Sequence, residues 1–257
     1  MAKTAERISE QSSADNPILQ RHIIAYRAAG SSVTGKVLEV GCGEGYGIKY
    51  LAPLADYYVA IDKFHSPIFD EYQGRKWLEF HQMNVPPFED LEDESFDAVV
   101  SFQVIEHIKD DELFLDEIKR VLKKGGKAIL TTPNKKMSLT RNPWHIREYA
   151  PKEIDNLLSR YFDQYQIKGV YGNSKVMKYY EENKKAVERI TRFDILNLQY
   201  RLPRFFLKIP YDILNRINRE NLKKKDSELA AQIKAEDYYL DEVSDHCLDY
   251  FIELEKS

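Results

Sequence analysis

Four glycines fall within seven positions, at Gly41, Gly43, Gly45 and Gly47, directly behind the run Val37-Leu38-Glu39-Val40. Glycines at a strand-to-helix turn let the backbone approach a ligand closely and leave helix N–H groups to bind it. A dinucleotide turn needs Gly-x-Gly-x-x-Gly so that a pyrophosphate rests on the helix N-terminus. Here the sixth position counted from Gly41 is Tyr46, and the spacing is Gly-x-Gly-x-Gly with the carboxylate of Glu39 two residues upstream. Asp62 lies 21 positions after Gly41, at the expected end of a second strand, where a carboxylate can accept two hydrogen bonds from a ribose diol. Two histidines are placed for proton transfer: His107, just beyond a fourth strand, and His145, in the loop Asn142-Pro143-Trp144-His145. Imidazole titrates near neutrality, so both are candidate general bases.

These groups need a frame that brings them to one edge. Short β-branched or aromatic runs alternate with helical patterns from Val37 to Val170, which is the signature of crossover units in a parallel sheet with helices on both faces. Strands are expected over 36–40, 57–61, 78–83, 96–101, 126–132, 164–171 and 248–254. Asp110 can cap a helix carrying Asp111 and Glu112 at its positive end and Lys119, Arg120, Lys123 and Lys124 at the other, with Gly125 as its stop. Its Phe114, Ile118, Val121 and Leu122 share one face, so it covers the sheet and has no chemical role.

The stretch Glu39-Val40-Gly41-Cys42-Gly43-Glu44-Gly45 resembles motif I of class I S-adenosylmethionine-dependent methyltransferases. Asp93 to Ile108 resembles the fourth-strand motif of that family's type 11, ubiquinone-biosynthesis-like branch, and Val121 to Asn134 its fifth-strand motif. The resemblance implies an α/β fold: a Rossmann-like seven-stranded mixed sheet with an antiparallel last strand. It places S-adenosyl-L-methionine over Gly41, Cys42, Gly43 and Gly45, with Glu39 organising the ammonium end, Asp62 at the ribose and Lys63 in the same cofactor site. Asn84 and Val85 would meet the adenine edge, and Tyr26 and Arg27 belong to an N-terminal segment that closes over the cofactor. Gln103 is assigned to the same cofactor site. It stands where ubiquinone-type relatives have a metal-holding carboxylate, so no required metal is expected although Glu106 and His107 remain.

A sulfonium methyl is already activated, so the protein must chiefly align a nucleophile and exclude water. For a hydroxyl acceptor a base also helps, which makes O-methylation assisted by His107 or His145 the first choice. The segment Ser101-Phe102-Gln103-Val104 lacks the Asn/Asp-Pro-Pro-aromatic arrangement of enzymes that methylate exocyclic base amines or glutamine amides. The acceptor is therefore read as a small molecule, a glycan precursor or a lipid-like compound, and not as nucleic acid. Two rivals stay open: a nicotinamide-dependent oxidoreductase, against which Tyr46 argues, and a non-catalytic cofactor-binding module. His22, His65, His81 and His246 belong to no constellation and are read as structural.

The chain has 257 residues, 43% of them hydrophobic, and a net charge of −4, which gives no global electrostatic pull toward nucleic acid or membrane. Its two cysteines, Cys42 and Cys247, and an N-terminus without an apolar signal core suggest a cytoplasmic protein. Four regions are expected: an N-terminal helical segment (1–34), the core (35–173), a helical insertion (174–245) and the final strand (246–257). Residues 175–225 carry 14 basic and 6 acidic side chains, and 226–257 carry 2 basic and 10 acidic ones. In the basic half, Leu202, Phe205, Phe206, Ile209, Ile213 and Ile217 recur at helical spacing among Arg201, Arg204, Lys208, Arg216 and Arg219, with Pro203 and Pro210 bracketing one segment. Such a stripe over 198–217 packs on the parent domain, meets a second subunit or rests on a membrane surface.

Overall fold

The computed structural model describes residues 15–192, 194, 197–225 and 227–257; residues 1–14 of the expected N-terminal segment lie outside the described residues. Helix α1 (Asn16–Ala29) carries a proline in its first turn and buries Leu19, Ile23 and Tyr26. The chain then builds a parallel ladder from β1 (Lys36–Val40), the short helix α2 (Tyr46–Tyr50), β2 (Tyr57–Asp62), β3 (Leu78–Gln82) and β4 (Phe96–Phe102). Helix α3 (Asp111–Val121) follows, and the Asp110 side chain accepts the Leu113 N–H at 3.0 Å, as its sequence position suggested. Strand β5 (Leu122–Pro133), helix α4 (Pro151–Leu158) and strand β6 (Gln164–Gly172) complete the first part.

Helix α3 stops earlier than Gly125. Leu122 turns to extended backbone and pairs with Phe96, with a register irregularity between Phe96 and Ala98. The Lys123 ammonium then reaches Asp97 at 2.7 Å. Strand pairing therefore overrides the helical pattern over Leu122-Lys123-Lys124.

The insertion contains α5 (Ser174–Thr191), capped by the Asn173 side chain, then α6 (Leu198–Arg201), α7 (Arg204–Lys225) and α8 (Ser227–Gln232). Helix α7 runs through Pro210, which is thus not a boundary. The chain returns through β7 (Tyr238–Glu242) and ends in β8 (Asp249–Glu255).

The sheet has eight strands in the order β3-β2-β1-β4-β5-β8-β6-β7, where seven were expected. The last strand is antiparallel to both β5 and β6, as expected. The additional strand, β7, adds to the edge of the sheet against β6, from Lys168↔Glu242 to Gly172↔Tyr238. Its sequence Tyr-Tyr-Leu-Asp-Glu hides it because an edge strand is held by backbone pairing on one side and needs little apolar alternation.

Period-two alternation divides the core. Leu38, Val40, Val59, Ile61 and Val99 face α3 and α4 on one side of the sheet. Val37, Tyr58, Ala60, Ala98 and Val100 face α1, α2 and α5 on the other. Among the described residues no helix is long and apolar enough to cross a membrane.

Candidate active site

A cavity of about 450 Å³ opens where β1, β2, β3 and β4 end. Its wall takes Gly41, Cys42 and Gly43 from the turn after β1, Asp62 and Lys63 from the end of β2, Asn84 and Val85 from beyond β3, and Gln103 from beyond β4. Gly41 has φ +77°, and a Cβ there would lie 2.3 Å from Val104 Cγ2, so the turn must be bare at that point. The Asp62 carboxylate is pinned by backbone: Oδ2 accepts the Gly43 N–H at 2.9 Å and Oδ1 the Phe64 N–H at 2.8 Å. Each oxygen has a second lone pair, which suits a vicinal diol.

Asn84 offers donor and acceptor atoms to a purine edge. The rings of Tyr26, Tyr46 and Phe102 line the same cavity, with Tyr26 edge-on to Phe102 at 4.7 Å, and ring faces favour a cationic ligand. A fixed carboxylate, an amide, aromatic faces and a bare turn together fit a sulfonium nucleoside.

Glu39 is not part of that wall. Strand alternation points it to the α1 and α2 side, where it is 1% exposed and accepts the Tyr26 hydroxyl at 2.7 Å and the Tyr58 hydroxyl at 3.0 Å. Burial pushes its carboxyl up to about 7, against the pull of the two tyrosine hydrogen bonds. The fourth glycine serves this cluster: a Cβ on Gly47 would stand 2.2 Å from both Glu39 Oε2 and the Tyr58 hydroxyl. Gly45 also lies outside the wall and starts α2 in a left-handed conformation. The Arg27 guanidinium pairs with Glu236 and does not line the cavity.

A second cavity of about 310 Å³ adjoins the first, and His22, Gln103 and His107 line both. Its remaining walls come from α1, the loop after β5, and helices α5 and α7, with Asn142 and His145 on the loop, Tyr179 and Asn183 on α5, and Asn215 and Asn218 on α7. Gln103 holds a left-handed φ of 57°, rare for a side-chain-bearing residue, and its backbone N–H donates to Thr131 O at 2.9 Å.

The two candidate bases meet at this junction, with ring centroids 4.9 Å apart in an edge-to-face arrangement. His107 Nδ1 lies 3.1 Å from Trp144 O; donation to that carbonyl makes Nε2 the basic nitrogen. Nε2 lies 4.0 Å from Glu106 Oε1, whose carboxyl is 1% exposed and bonded by the Thr132 hydroxyl at 2.9 Å. Burial pushes the Glu106 pKa up, and the two histidines pull it back. His145 is held at both nitrogens: Nδ1 by Glu148 at 2.6 Å and Nε2 by the Asn142 amide at 2.8 Å. Asn142 Oδ1 accepts the Trp144 N–H at 3.0 Å, which fixes that amide's orientation.

Ligand atoms of Glu106, His107 and His145 lie within 4.8 Å of one another, close enough to converge on a cation. A cation drawing on His145 would have to displace Asn142 or Glu148. His22 was assigned no role from sequence, yet it lines both cavities. Its signal was its spacing, four residues before Tyr26 on α1 and thus on the same helix face.

Residues 38–130 match a family described as a methyltransferase domain. A probable S-adenosylmethionine-dependent methyltransferase of Mycobacterium tuberculosis is 35% identical over 161 residues, covering 60% of this chain and 58% of that protein. The chain thus spans less than two thirds of that relative. The human mitochondrial ubiquinone biosynthesis O-methyltransferase is 34% identical over 112 residues, which is 39% of this chain and 29% of that one. In three dimensions the chain superposes on the YcgJ protein of Bacillus with a TM-score of 0.53 at 15% identity, covering 93% of this chain and 99% of that one. The matched segment and the strand ends that line the first cavity coincide: residues 38–130, similar to a methyltransferase domain, carry the turn after β1, Asp62, Asn84 and Gln103.

Proposed function

We propose that the protein methylates a hydroxyl group of a small polar acceptor held in the second cavity. The observation that carries this reading is the junction of the two cavities at Gln103 and His107. S-adenosylmethionine held there would supply an electrophilic methyl carbon with a neutral thioether as its leaving group. Asp62 and the glycine turn hold the nucleoside, and Asn84 orients its base. His107 Nε2 takes the acceptor's hydroxyl proton, and the buried Glu106 carboxylate beside it favours the imidazolium that forms. His145, fixed between Asn142 and Glu148, packs edge-on against His107 and holds that ring in place.

Amides and tyrosines dominate the polar lining of the second cavity, which suits a hydroxyl-bearing acceptor such as a glycan precursor or the polar end of a lipid-like molecule. The one O-methyltransferase named among the relatives above supports oxygen as the methylated atom. A cytoplasmic location is part of the same reading, supported by two buried thiols, Cys42 and Cys247.

The test is transfer from methyl-labelled S-adenosylmethionine into a deproteinised small-molecule extract, with the product located by mass spectrometry. A methyl on oxygen, at a rate unchanged by prior chelation with EDTA, is expected. A methyl on nitrogen or carbon overturns O-methylation, loss of rate on chelation assigns Glu106, His107 and His145 to a cation, and absence of cofactor binding overturns the whole reading.

A further inference from the structure

Helix α7 is amphipathic in the reverse of the usual sense. Its polar residues face the protein: Arg204 donates to His145 O at 3.1 Å, Lys208 lies 4.2 Å above the Trp144 ring, Asp212 accepts the Trp144 indole N–H at 2.9 Å, and Asn218 bonds Asn183 at 2.7 Å. Its apolar residues face away. Phe205 is 78% exposed and Ile209 72%, and Phe206, Ile213 and Ile217 are each at least half exposed. At 100° per residue these five form one continuous strip down the helix. Soluble proteins rarely leave so many large apolar side chains together in water without a partner for them.

The charge around the strip indicates which partner. Over residues 201–218 the sequence has four basic residues and one acidic residue in a chain whose net charge is −4, and of these Arg204, Lys208 and Asp212 face the protein. Arg201 and Arg216 are exposed on the same stretch. A two-fold contact between copies would set two such basic segments against each other, which is repulsive. An exposed apolar face flanked by arginines matches an anionic lipid surface, where the apolar groups enter the interface and the cations meet headgroup phosphates.

We propose that the outer face of α7 docks the protein on an anionic membrane surface. The helix that touches lipid is then the helix whose other face, through Tyr211, Asn215 and Asn218, lines the second cavity. The docking stands independently of the methyl-transfer reading, since it needs no turnover.

The experiment is vesicle flotation with the full chain, using mixed phosphatidylglycerol and phosphatidylcholine vesicles against phosphatidylcholine alone, at low and high salt. At low salt, binding to the anionic vesicles is expected to be at least about tenfold greater, and high salt should release the protein. The double variant Phe205→Ser/Ile209→Ser removes two exposed side chains and should abolish flotation, while its circular dichroism and its affinity for S-adenosylhomocysteine stay unchanged. Failure to float with anionic vesicles overturns the proposal. So does equal binding to both compositions, or light scattering that shows a dimer which the double variant splits.

Discussion

The two cavities share a wall but are built in different ways. The first is made by consecutive strand ends, each contributing a short stretch of chain: Gly41 to Glu44 after β1, Asp62 to Phe64 at β2, Met83 to Val85 after β3 and Phe102 to Val104 at β4. The second is assembled from side chains far apart in sequence, with Arg21, His145, Asn183 and Asn215 on four separate elements. Where a ligand is held by turns whose positions the sheet dictates, spacing along the chain is enough to find the residues. Where it is held by one face of each of several helices, only packing brings the residues together.

Two of the buried acids, one beside each cavity, have partners that differ in kind. Glu39, below the glycine turn, is held by two neutral tyrosine hydroxyls and rises to about 7. Asp249, next in the chain to Leu248 of the second cavity's wall, has the Arg21 guanidinium 3.0 Å away, and burial still lifts it to about 6. Both are acids that cost stability once ionised.

The sharpest way to break the division of labour is His107→Ala. If its Nε2 is the base, labelled methyl transfer at saturating cofactor should fall by about 10²- to 10⁴-fold, while calorimetric affinity for S-adenosylhomocysteine changes by less than about threefold. A rate within about threefold of the parent would place the base elsewhere.

Glu39→Gln tests whether the acid under the turn is structural. A pKa raised from 4.5 to about 7 corresponds to about 3 kcal/mol. Because the folded value is the higher one, the stabilising contribution is complete below pH 4.5 and is lost as the pH rises through about 7. Denaturant melts at pH 5 and 8 should therefore show the variant gaining on the parent by up to about 3 kcal/mol at the higher pH. A difference that does not move with pH would mean that Glu39 is not ionising in that window.

Asp62→Ala addresses the first cavity alone. Hydrogen bonds to a charged group contribute about 1.5–3 kcal/mol, so cofactor affinity should fall by about 10- to 100-fold. Equal affinity in parent and variant, with the fold intact by circular dichroism, would detach the carboxylate from the ligand.

The same contrast explains what the sequence disclosed. The glycine turn, Asp62 and the strands that carry them were legible because local propensity and sheet topology agree there. Two departures arose where pairing beats local pattern: β5 takes over Leu122-Lys123-Lys124 from α3, and β7 joins the sheet with little alternation of its own. Glu39 was legible as an acid beside the turn and was expected at the cofactor's ammonium end, but its orientation depends on the sheet's two faces and on Tyr58, which no motif links to it. His22, Asn183 and Asn218 carry no motif, and they became visible only once α1, α5 and α7 were seen to close around one space.

The smallest expected effect discriminates best between the cavities. Asn183 on α5 accepts the Asn218 amide of α7 at 2.7 Å, and both side chains line the second cavity and neither lines the first. Removing the acceptor by Asn183→Ala leaves a 6% exposed amide without that bond, a cost of about 1–3 kcal/mol that loosens one helix against the other. The first cavity shares no residue with this pair, so S-adenosylhomocysteine affinity should stay within about twofold while the KM for the acceptor rises by about tenfold, the inverse of Asp62→Ala. If Asn183→Ala weakens the cofactor as much as the acceptor, the two cavities are one coupled site, and the helical wall helps to hold the nucleoside.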